Sequence, residues 1–141
     1  MPTNAERIRE FHETMGSAHP NLPQMPSVDT LTLRRTLIEE EVAEVMHAFA
    51  QALTLAERAT GDESAELAHL VHELADLLYV TYGAMTACGV DADAVFAEVH
   101  RANMQKASGP RRADGKVLKP PDFKSADVAA VLARQTENGA G

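Results

Sequence analysis

Two groups of acidic residues lie inside long, glycine-free apolar stretches of this chain. The first group is Glu40, Glu41 and Glu44, and the second, after a gap of 28 residues, is Glu73 and Asp76. At about 100° per residue the first three carboxylates share one arc of a helix, and that arc also carries leucines and alanines. Acidic side chains are almost never buried unless they are paired, and this segment has too few bases to pair them. The spacing therefore indicates a divalent cation as their partner.

Oxygen is the only ligand atom that the five carboxylates offer, and neither group contains a cysteine. Mg²⁺ prefers such oxygen donors and Mn²⁺ can replace it, whereas Zn²⁺ prefers nitrogen and sulfur. Brought together without a cation, the carboxylates would raise one another's pKa values. We therefore predict a magnesium site to which all five acids contribute.

Helices are the elements expected to position these acids. The sequence is rich in alanine, leucine and glutamate and shows no alternation of apolar and polar residues, which predicts an all-α protein. The predicted helices cover about 3–15, 29–59, 64–87, 91–108 and 125–136. A short connection at about 60–63 makes the second and third helices antiparallel neighbours and sets the two acid groups at the same height. We expect one domain, 1–141, folded as an antiparallel helical bundle with a frayed tail at 137–141.

Composition bears on location and assembly. A chain of 141 residues with the single cysteine Cys88 cannot form an internal disulfide. It begins without a signal-like segment and has no apolar run long enough to span a bilayer, so we expect a cytoplasmic protein with no membrane partner. The third predicted helix is apolar nearly all round. That pattern predicts that a second copy completes the core, in a homodimer or a dimer of dimers.

The net charge of −8 is distributed unevenly along the chain. The segment 106–124 carries six bases against two acids, which gives +4, and the remaining residues carry −12. A nucleic-acid polymer is an unsuitable partner, because binding one needs a broad basic surface. A small polyanion held between metal ions and basic side chains suits the pattern better. In the loop 109–124, four basic residues are predicted to form a lid that closes over phosphates: Arg111, Arg112, Lys116 and Lys119.

The order Glu-Glu-x-x-Glu and then Glu-x-x-Asp resembles the signature of the all-α nucleoside triphosphate pyrophosphohydrolases. That superfamily includes MazG, the dimeric dUTPases and phosphoribosyl-ATP pyrophosphohydrolase. The similarity covers roughly 31–123 and includes the segments 33–38, 100–106 and 114–121. The resemblance implies that the five acids bind Mg²⁺ and that a nucleoside triphosphate is hydrolysed to the monophosphate and pyrophosphate.

The same resemblance assigns substrate contacts to Asn103 and Lys106. Both residues interrupt the apolar stripe of the fourth predicted helix, which agrees with that assignment because an inward-facing amide or ammonium group needs a polar partner. Glu41 is the candidate for activating the attacking water. The tail segment resembles short MazG-like pyrophosphatases, some of which favour dUTP, so a house-cleaning activity on dUTP or another pyrimidine deoxynucleotide is our first expectation.

Two alternatives stay open from the sequence. One is a phosphoribosyl-ATP pyrophosphohydrolase of histidine biosynthesis, which shares the acid signature. The other is a non-catalytic helical dimer that acts as a partner-binding module and keeps the metal ligands for stability.

Overall fold

The computed structural model describes residues 1–58 and 61–139, and the regular secondary structure of these residues is helical. The five α-helices are α1 (Asn4–Thr14), α2 (Val28–Arg58), α3 (Glu63–Ala87), α4 (Ala92–Met104) and α5 (Val128–Gly139). A short 3-10 turn, Gln105–Ser108, continues α4. Within these described ranges there is no strand, only an isolated antiparallel bridge between Arg111 and Val117. The prediction of an all-α helical bundle is confirmed.

Side-chain caps set where α1, α3 and α4 begin. Thr3 and Glu6 form a capping box, in which the Glu6 amide donates to Thr3 Oγ1 at 3.2 Å and the Thr3 amide donates to Glu6 Oε2 at 2.6 Å. Asp62 accepts from two amides of the first turn of α3, and Asp91 does the same for α4. Each cap satisfies backbone donors that the helix itself leaves without partners.

The caps of α2 and α5 differ from the sequence-based expectation. We expected α2 to start at Asp29 or Thr30, but Ser27 Oγ accepts from the Thr30 amide at 3.2 Å and α2 begins at Val28. Asp127 Oδ1 accepts from the Ala130 amide at 2.9 Å, so α5 begins at Val128 rather than near residue 125. Several adjacent residues in both segments are of types that cap helices well, so residue type alone does not fix which one acts.

The pairing of α2 with α3 is the framework of the molecule, and α1 packs on α3 beside it. The predicted end of the second helix at residue 59 and part of the predicted connection at 60–63 fall on residues 59 and 60, outside the described ranges. Among the described residues the buried apolar ones are few and mostly small: Ile8, Val45, Ala48, Ala87, Ala92, Ala102 and Val131. The predicted frayed tail, 137–141, overlaps the end of α5, because this helix continues to Gly139. Residues 140 and 141 are not described.

The second packing unit consists of α4 and α5, which contact each other while α4 touches α3 only slightly. Glu98 links the two helices, because its Oε1 accepts from the Asp127 amide at 2.8 Å while Arg101 donates to both of its oxygens. Gln105 pairs with the backbone of Lys124 in both directions, at 2.9 and 3.0 Å. These bonds fix the two ends of the basic loop 109–124.

One face of the α2–α3 pair is apolar and uncovered. On α2 it contains Val42, Met46, Phe49 and Leu53, and on α3 it contains Leu67, Val71, Leu74 and Leu78, all between 36% and 63% exposed. Both sets repeat at intervals of four, three and four residues, the spacing of helices that pack side by side. The α2 residues belong to a stripe with ordinary core spacing, yet they stay exposed in the described part of the chain.

No helix among the described residues has both the length and the apolarity required for crossing a membrane.

Candidate active site

Three of the five predicted ligands meet where the middle of α2 faces α3. One side-chain oxygen from each of Glu41, Glu73 and Asp76 lies within 4.8 Å of the others. Glu73 and Asp76 are three residues apart on α3 and therefore share a face of that helix, while Glu41 comes from the neighbouring helix. The Glu73 side chain is 12% exposed and that of Asp76 is 44% exposed, so the group is open to solvent on one side.

Glu40 and Glu44 lie outside this trio, and both residues are exposed. Their charges nevertheless act on it. The pKa of Glu41 is raised first by burial, then by Glu44, Asp76, Glu73 and Glu40 in that order. The Glu41 Oε2 atom is buried and has no hydrogen-bond partner. A carboxylate that is desolvated, surrounded by like charges and unpartnered needs a cation.

Two histidines hold the α3 carboxylates from one turn earlier in the helix. His69 Nδ1 lies 3.3 Å from Glu73 Oε1, and His72 Nε2 lies 3.0 Å from Asp76 Oδ2. Each contact restricts the orientation of a carboxylate that the metal would need. Sequence analysis did not identify these contacts, although the i, i+4 spacing of each pair is the signal that predicts them.

The trio fits a divalent cation such as Mg²⁺ or Mn²⁺. Oxygen ligands at about 2.1 Å from an octahedral ion are roughly 3–4 Å from one another, and the three oxygens here lie within 4.8 Å before any adjustment. The donor set is entirely carboxylate, which excludes the nitrogen- and sulfur-rich coordination typical of zinc. The unpartnered Glu41 oxygen is the atom that most requires such an ion.

Asn103 and Lys106, the two predicted substrate contacts on the fourth helix, bond to each other. Lys106 Nζ donates to Asn103 Oδ1 at 2.6 Å, at the end of α4. Across residues 1–58 and 61–139, no hydrogen bond or ion pair joins either of them to the acidic group. In this single chain they therefore contact each other and not the candidate metal ligands.

The basic loop forms a small hairpin. The Arg112 amide donates to the Lys116 carbonyl at 2.8 Å, around a turn in which Gly115 has a φ of 85°. Such a positive φ favours glycine. The Arg112 guanidinium pairs with Asp114 and lowers the pKa of that carboxyl group, and Lys119 Nζ lies 4.8 Å above the Phe123 ring. The side chains of Arg111 and Lys116 are exposed, so the predicted lid residues face solvent.

Comparison with known families bears directly on this site. A model of the family described as phosphoribosyl-ATP pyrophosphohydrolase matches residues 8–103, which is more than half of the chain. The match includes all five predicted acids and Asn103, and it ends before Lys106 and the basic loop. No curated protein sequence matches the chain.

The family match confirms the superfamily that the acid signature predicts, and with it the hydrolysis of a phosphoanhydride bond. It supports the phosphoribosyl-ATP alternative better than the first expectation, because nothing in the comparison supports a preference for dUTP. The chain belongs to the phosphoribosyl-ATP pyrophosphohydrolase family, within the all-α nucleoside triphosphate pyrophosphohydrolases, and is a nucleotide pyrophosphohydrolase.

Proposed function

We propose that this protein is a magnesium-dependent enzyme that hydrolyses phosphoribosyl-ATP to phosphoribosyl-AMP and pyrophosphate, a step of histidine biosynthesis. The observation that carries the proposal is the convergence of the Glu41, Glu73 and Asp76 oxygens within 4.8 Å, inside the segment that matches this family. A soluble nucleotide substrate would place the reaction in the cytoplasm. Mn²⁺ is the expected substitute for Mg²⁺, because both accept all-oxygen coordination.

The second candidate substrate is a pyrimidine deoxynucleotide, dUTP first, for nucleotide-pool house-cleaning. Its support lies outside the family match, in the segment 114–121, which resembles short MazG-like pyrophosphatases. The two substrates share the triphosphate and differ in everything attached to it. The acidic site alone therefore does not distinguish them.

In the proposed reaction, water attacks a phosphorus atom of the triphosphate and the bond to the departing pyrophosphate breaks. Glu41 would accept the proton of that water, and its raised pKa would make it a better base than an ordinary carboxylate. Glu73 and Asp76 would hold the metal together with Glu41, with His69 and His72 fixing the orientation of the two α3 carboxylates. Glu40 and Glu44 would join as outer or additional ligands. A divalent cation bound at this site would neutralise phosphate charge and lower the pKa of a bound water molecule.

A second copy of the chain is part of the proposal. The accessible surface is 9850 Å², whereas a compact monomer of 15.2 kDa exposes about 7,100 Å². The difference, roughly 2,700 Å², matches what each subunit loses in an obligate dimer or larger assembly. The uncovered apolar face on α2 and α3 is the surface that a partner would bury.

The partner would also complete the site. Within residues 1–58 and 61–139, Asn103, Lys106 and the basic residues of the loop form no hydrogen bond or ion pair with the acidic trio, and α4 packs mainly on α5. In a homodimer or dimer of dimers these groups could reach the phosphates bound to the other chain. Charge neutralisation from both sides would then stabilise the departing pyrophosphate.

The assembly is tested by replacing an apolar residue on the exposed face. Met46→Glu should convert the assembly to monomers in light scattering, because it places a charge in the proposed interface. Met15→Glu is the matched control, since Met15 is 65% exposed and Met46 is 63% exposed. Equal masses for the wild type and Met46→Glu would rule out this interface.

The activity is tested with a nucleotide panel of phosphoribosyl-ATP, dUTP, dCTP and dATP, with and without Mg²⁺, by detection of pyrophosphate and the monophosphate. We expect metal-dependent release, fastest from phosphoribosyl-ATP. Faster turnover of dUTP would favour the second candidate. Metal binding without turnover of any nucleotide would favour a non-catalytic helical module and would contradict the proposal.

A further inference from the structure

A polar cavity of about 510 Å³ lies between the segment after α1 and the first turns of α2. Its polar wall consists of Ser17, His19, Gln24, Ser27, Thr30 and Arg34. Neither an aspartate nor a glutamate lines it. The cavity therefore has hydrogen-bonding groups and a permanent positive charge in its wall but no negative charge to balance them.

Arg34 is the permanently charged group of this wall, and none of the described residues gives it an anionic partner. Its Nε atom is buried without a hydrogen bond. Across the described ranges 1–58 and 61–139, Arg34 takes part in no ion pair with a carboxylate. Burial alone lowers the pKa of its guanidinium group. A partly buried guanidinium without an anionic partner costs free energy that an anion in the cavity would recover.

His12 holds Arg34 in place without neutralising it. Arg34 Nη1 lies 3.4 Å from His12 Nε2, and because guanidinium nitrogens are donors only, Nε2 must accept. The pKa of His12 is lowered by burial, then by Arg34 and His19, which favours the neutral ring that can accept. Gly83 leaves the space for this pair, since a Cβ there would lie 3.2 Å from Arg34 Nη1 and 3.4 Å from His12 Nε2.

His19 provides a second unpartnered group in the same wall. Its side chain is only 7% exposed, and its Nδ1 atom is buried without a hydrogen bond. Its other ring nitrogen, Nε2, lies 3.6 Å from Glu13 Oε1, on a carboxylate that is 63% exposed. A ligand that reached Nδ1 would accept a hydrogen bond from it whenever that nitrogen carries a proton.

We propose that this cavity is an anion-binding site for a phosphate group, with Arg34 as the principal donor, His12 as its positioning residue and His19 as a second donor. The Thr30 and Ser27 hydroxyls bond to each other at 3.0 Å at the start of α2 and line the same wall. Guanidinium groups bind phosphate oxygens through short, charge-assisted hydrogen bonds. The observation that points to this ligand is an arginine that has no carboxylate partner among the described residues, in a wall that neither an aspartate nor a glutamate lines.

The cavity is separate from the acidic trio but lies within reach of one nucleotide. Arg34 precedes Glu41 by seven residues on α2, which is about 10.5 Å along the helix. The phosphate could therefore be free inorganic phosphate or a second phosphate of a bound substrate. The second source rests on the proposed function, because phosphoribosyl-ATP carries a monophosphate remote from its triphosphate and dUTP carries none.

The site itself is tested without metal or catalysis. The melting temperature is measured in EDTA with inorganic phosphate, against chloride at equal ionic strength, for the wild type, Arg34→Met and Arg35→Met. Arg35 is the matched control, because its side chain is 70% exposed and its partner is Glu39. We expect phosphate to raise the melting temperature of the wild type and of Arg35→Met, and not that of Arg34→Met.

Arg34→Met should also melt at a higher temperature than the wild type in phosphate-free buffer, since it removes an unpaired buried charge. That result separates a binding role from a packing role. A phosphate shift that persists in Arg34→Met, or its absence in the wild type, would overturn the proposal.

The source of the phosphate is tested with KM values for phosphoribosyl-ATP and ATP. If the cavity holds the remote monophosphate, the wild type should have a KM for phosphoribosyl-ATP about tenfold or more below that for ATP, and Arg34→Met should bring the ratio towards one. An unchanged ratio together with intact phosphate stabilisation would assign the site to free phosphate. Failure of the enzyme proposal, with no nucleotide turned over, would leave the phosphate result unaffected.

Discussion

Two glutamates of this molecule sit in opposite electrostatic surroundings. Glu98, between α4 and α5, accepts from Arg101 and from the Asp127 amide, and these bonds lower its pKa to about 2. Glu41, between α2 and α3, has a buried oxygen without a partner and a raised pKa. The first carboxylate holds two helices together. The second has no hydrogen-bond partner for its buried oxygen among the described residues, so a ligand from outside the chain would have to supply one.

Arg34 extends this comparison to the opposite charge. It lies on the same helix as Glu41, is buried in part and lacks a carboxylate partner among the described residues. The α2–α3 pair thus contains one site that needs a cation and, two turns away, one that needs an anion. Charges that are paired within the chain serve the fold, and those left unpaired at buried positions indicate binding.

The largest expected effect is on the rate of turnover, and it tests the contrast between paired and unpaired charges. Glu41→Gln should lower pyrophosphate release by about a hundredfold or more, because the amide neither accepts a proton nor balances a cation. Glu39→Gln is the control, since Glu39 is 65% exposed and pairs with Arg35 outside the acidic trio. Steady-state rates with Mg²⁺ provide the measurement. Similar losses of rate in both variants would show that Glu41 has no specific role in turnover.

A smaller effect is expected on the melting temperature, and its sign should differ between the Glu41 and Glu98 variants. In EDTA, Glu41→Gln should raise the melting temperature by a few degrees, because it removes one of several neighbouring like charges. Glu98→Gln should lower it, because the amide weakens the link between α4 and the start of α5. Thermal unfolding of both variants beside the wild type gives the comparison. If both changes lowered the melting temperature, the acidic group would be a structural feature and not a binding one.

The smallest expected effect is on the pH dependence of stability. The folded-state pKa of His12 is lowered below its ordinary value of 6.5, so the unfolded chain binds more protons as the pH falls through that value. The stability contributed by neutral His12 is therefore present above about pH 6.5 and is lost progressively below it. The stability contributed by ionised Glu98 is lost over a different pH range. Because the pKa of Glu98 is lowered, that loss occurs only as the pH falls from 4.5 towards 2.

Urea unfolding at pH 7.5 and 5.5 measures the His12 effect. His12→Gln should show less loss of stability between these two pH values than the wild type, because glutamine still accepts from Arg34 but does not titrate. His100→Gln is the control, on an exposed position of α4. An identical pH dependence in the wild type and His12→Gln would contradict the neutral, accepting role of His12.

The sequence predicts the helices and one shared site of five acids, and both predictions follow from short-range periodicity. The structure brings three of these acids together, Glu41, Glu73 and Asp76. Residues three or four apart share a helix face, so Glu73 and Asp76 must lie together, and a short connection brings α2 alongside α3. The exact start of α2 is less predictable, since Ser27, Asp29 and Thr30 are all good caps within four residues. Which one acts depends on how the preceding loop packs.

Long-range contacts could not be predicted in the same way. The Arg34–His12 contact joins residues 22 positions apart and depends on how α1 docks on α3. The separation of Asn103 and Lys106 from the acids depends on the direction in which α4 leaves the turn after Gly89. The apolar α2 stripe that includes Met46 has ordinary core spacing, but periodicity does not say whether the same chain or a second copy covers it.

Metal binding in the absence of nucleotide tests the central claim most directly. Calorimetric titration of Mn²⁺ into the metal-free protein should show binding that Glu73→Gln and Asp76→Asn weaken by about tenfold or more, with Glu39→Gln unchanged. Equal Mn²⁺ affinity in the wild type, Glu73→Gln and Asp76→Asn would show that the acids between α2 and α3 are not a metal site.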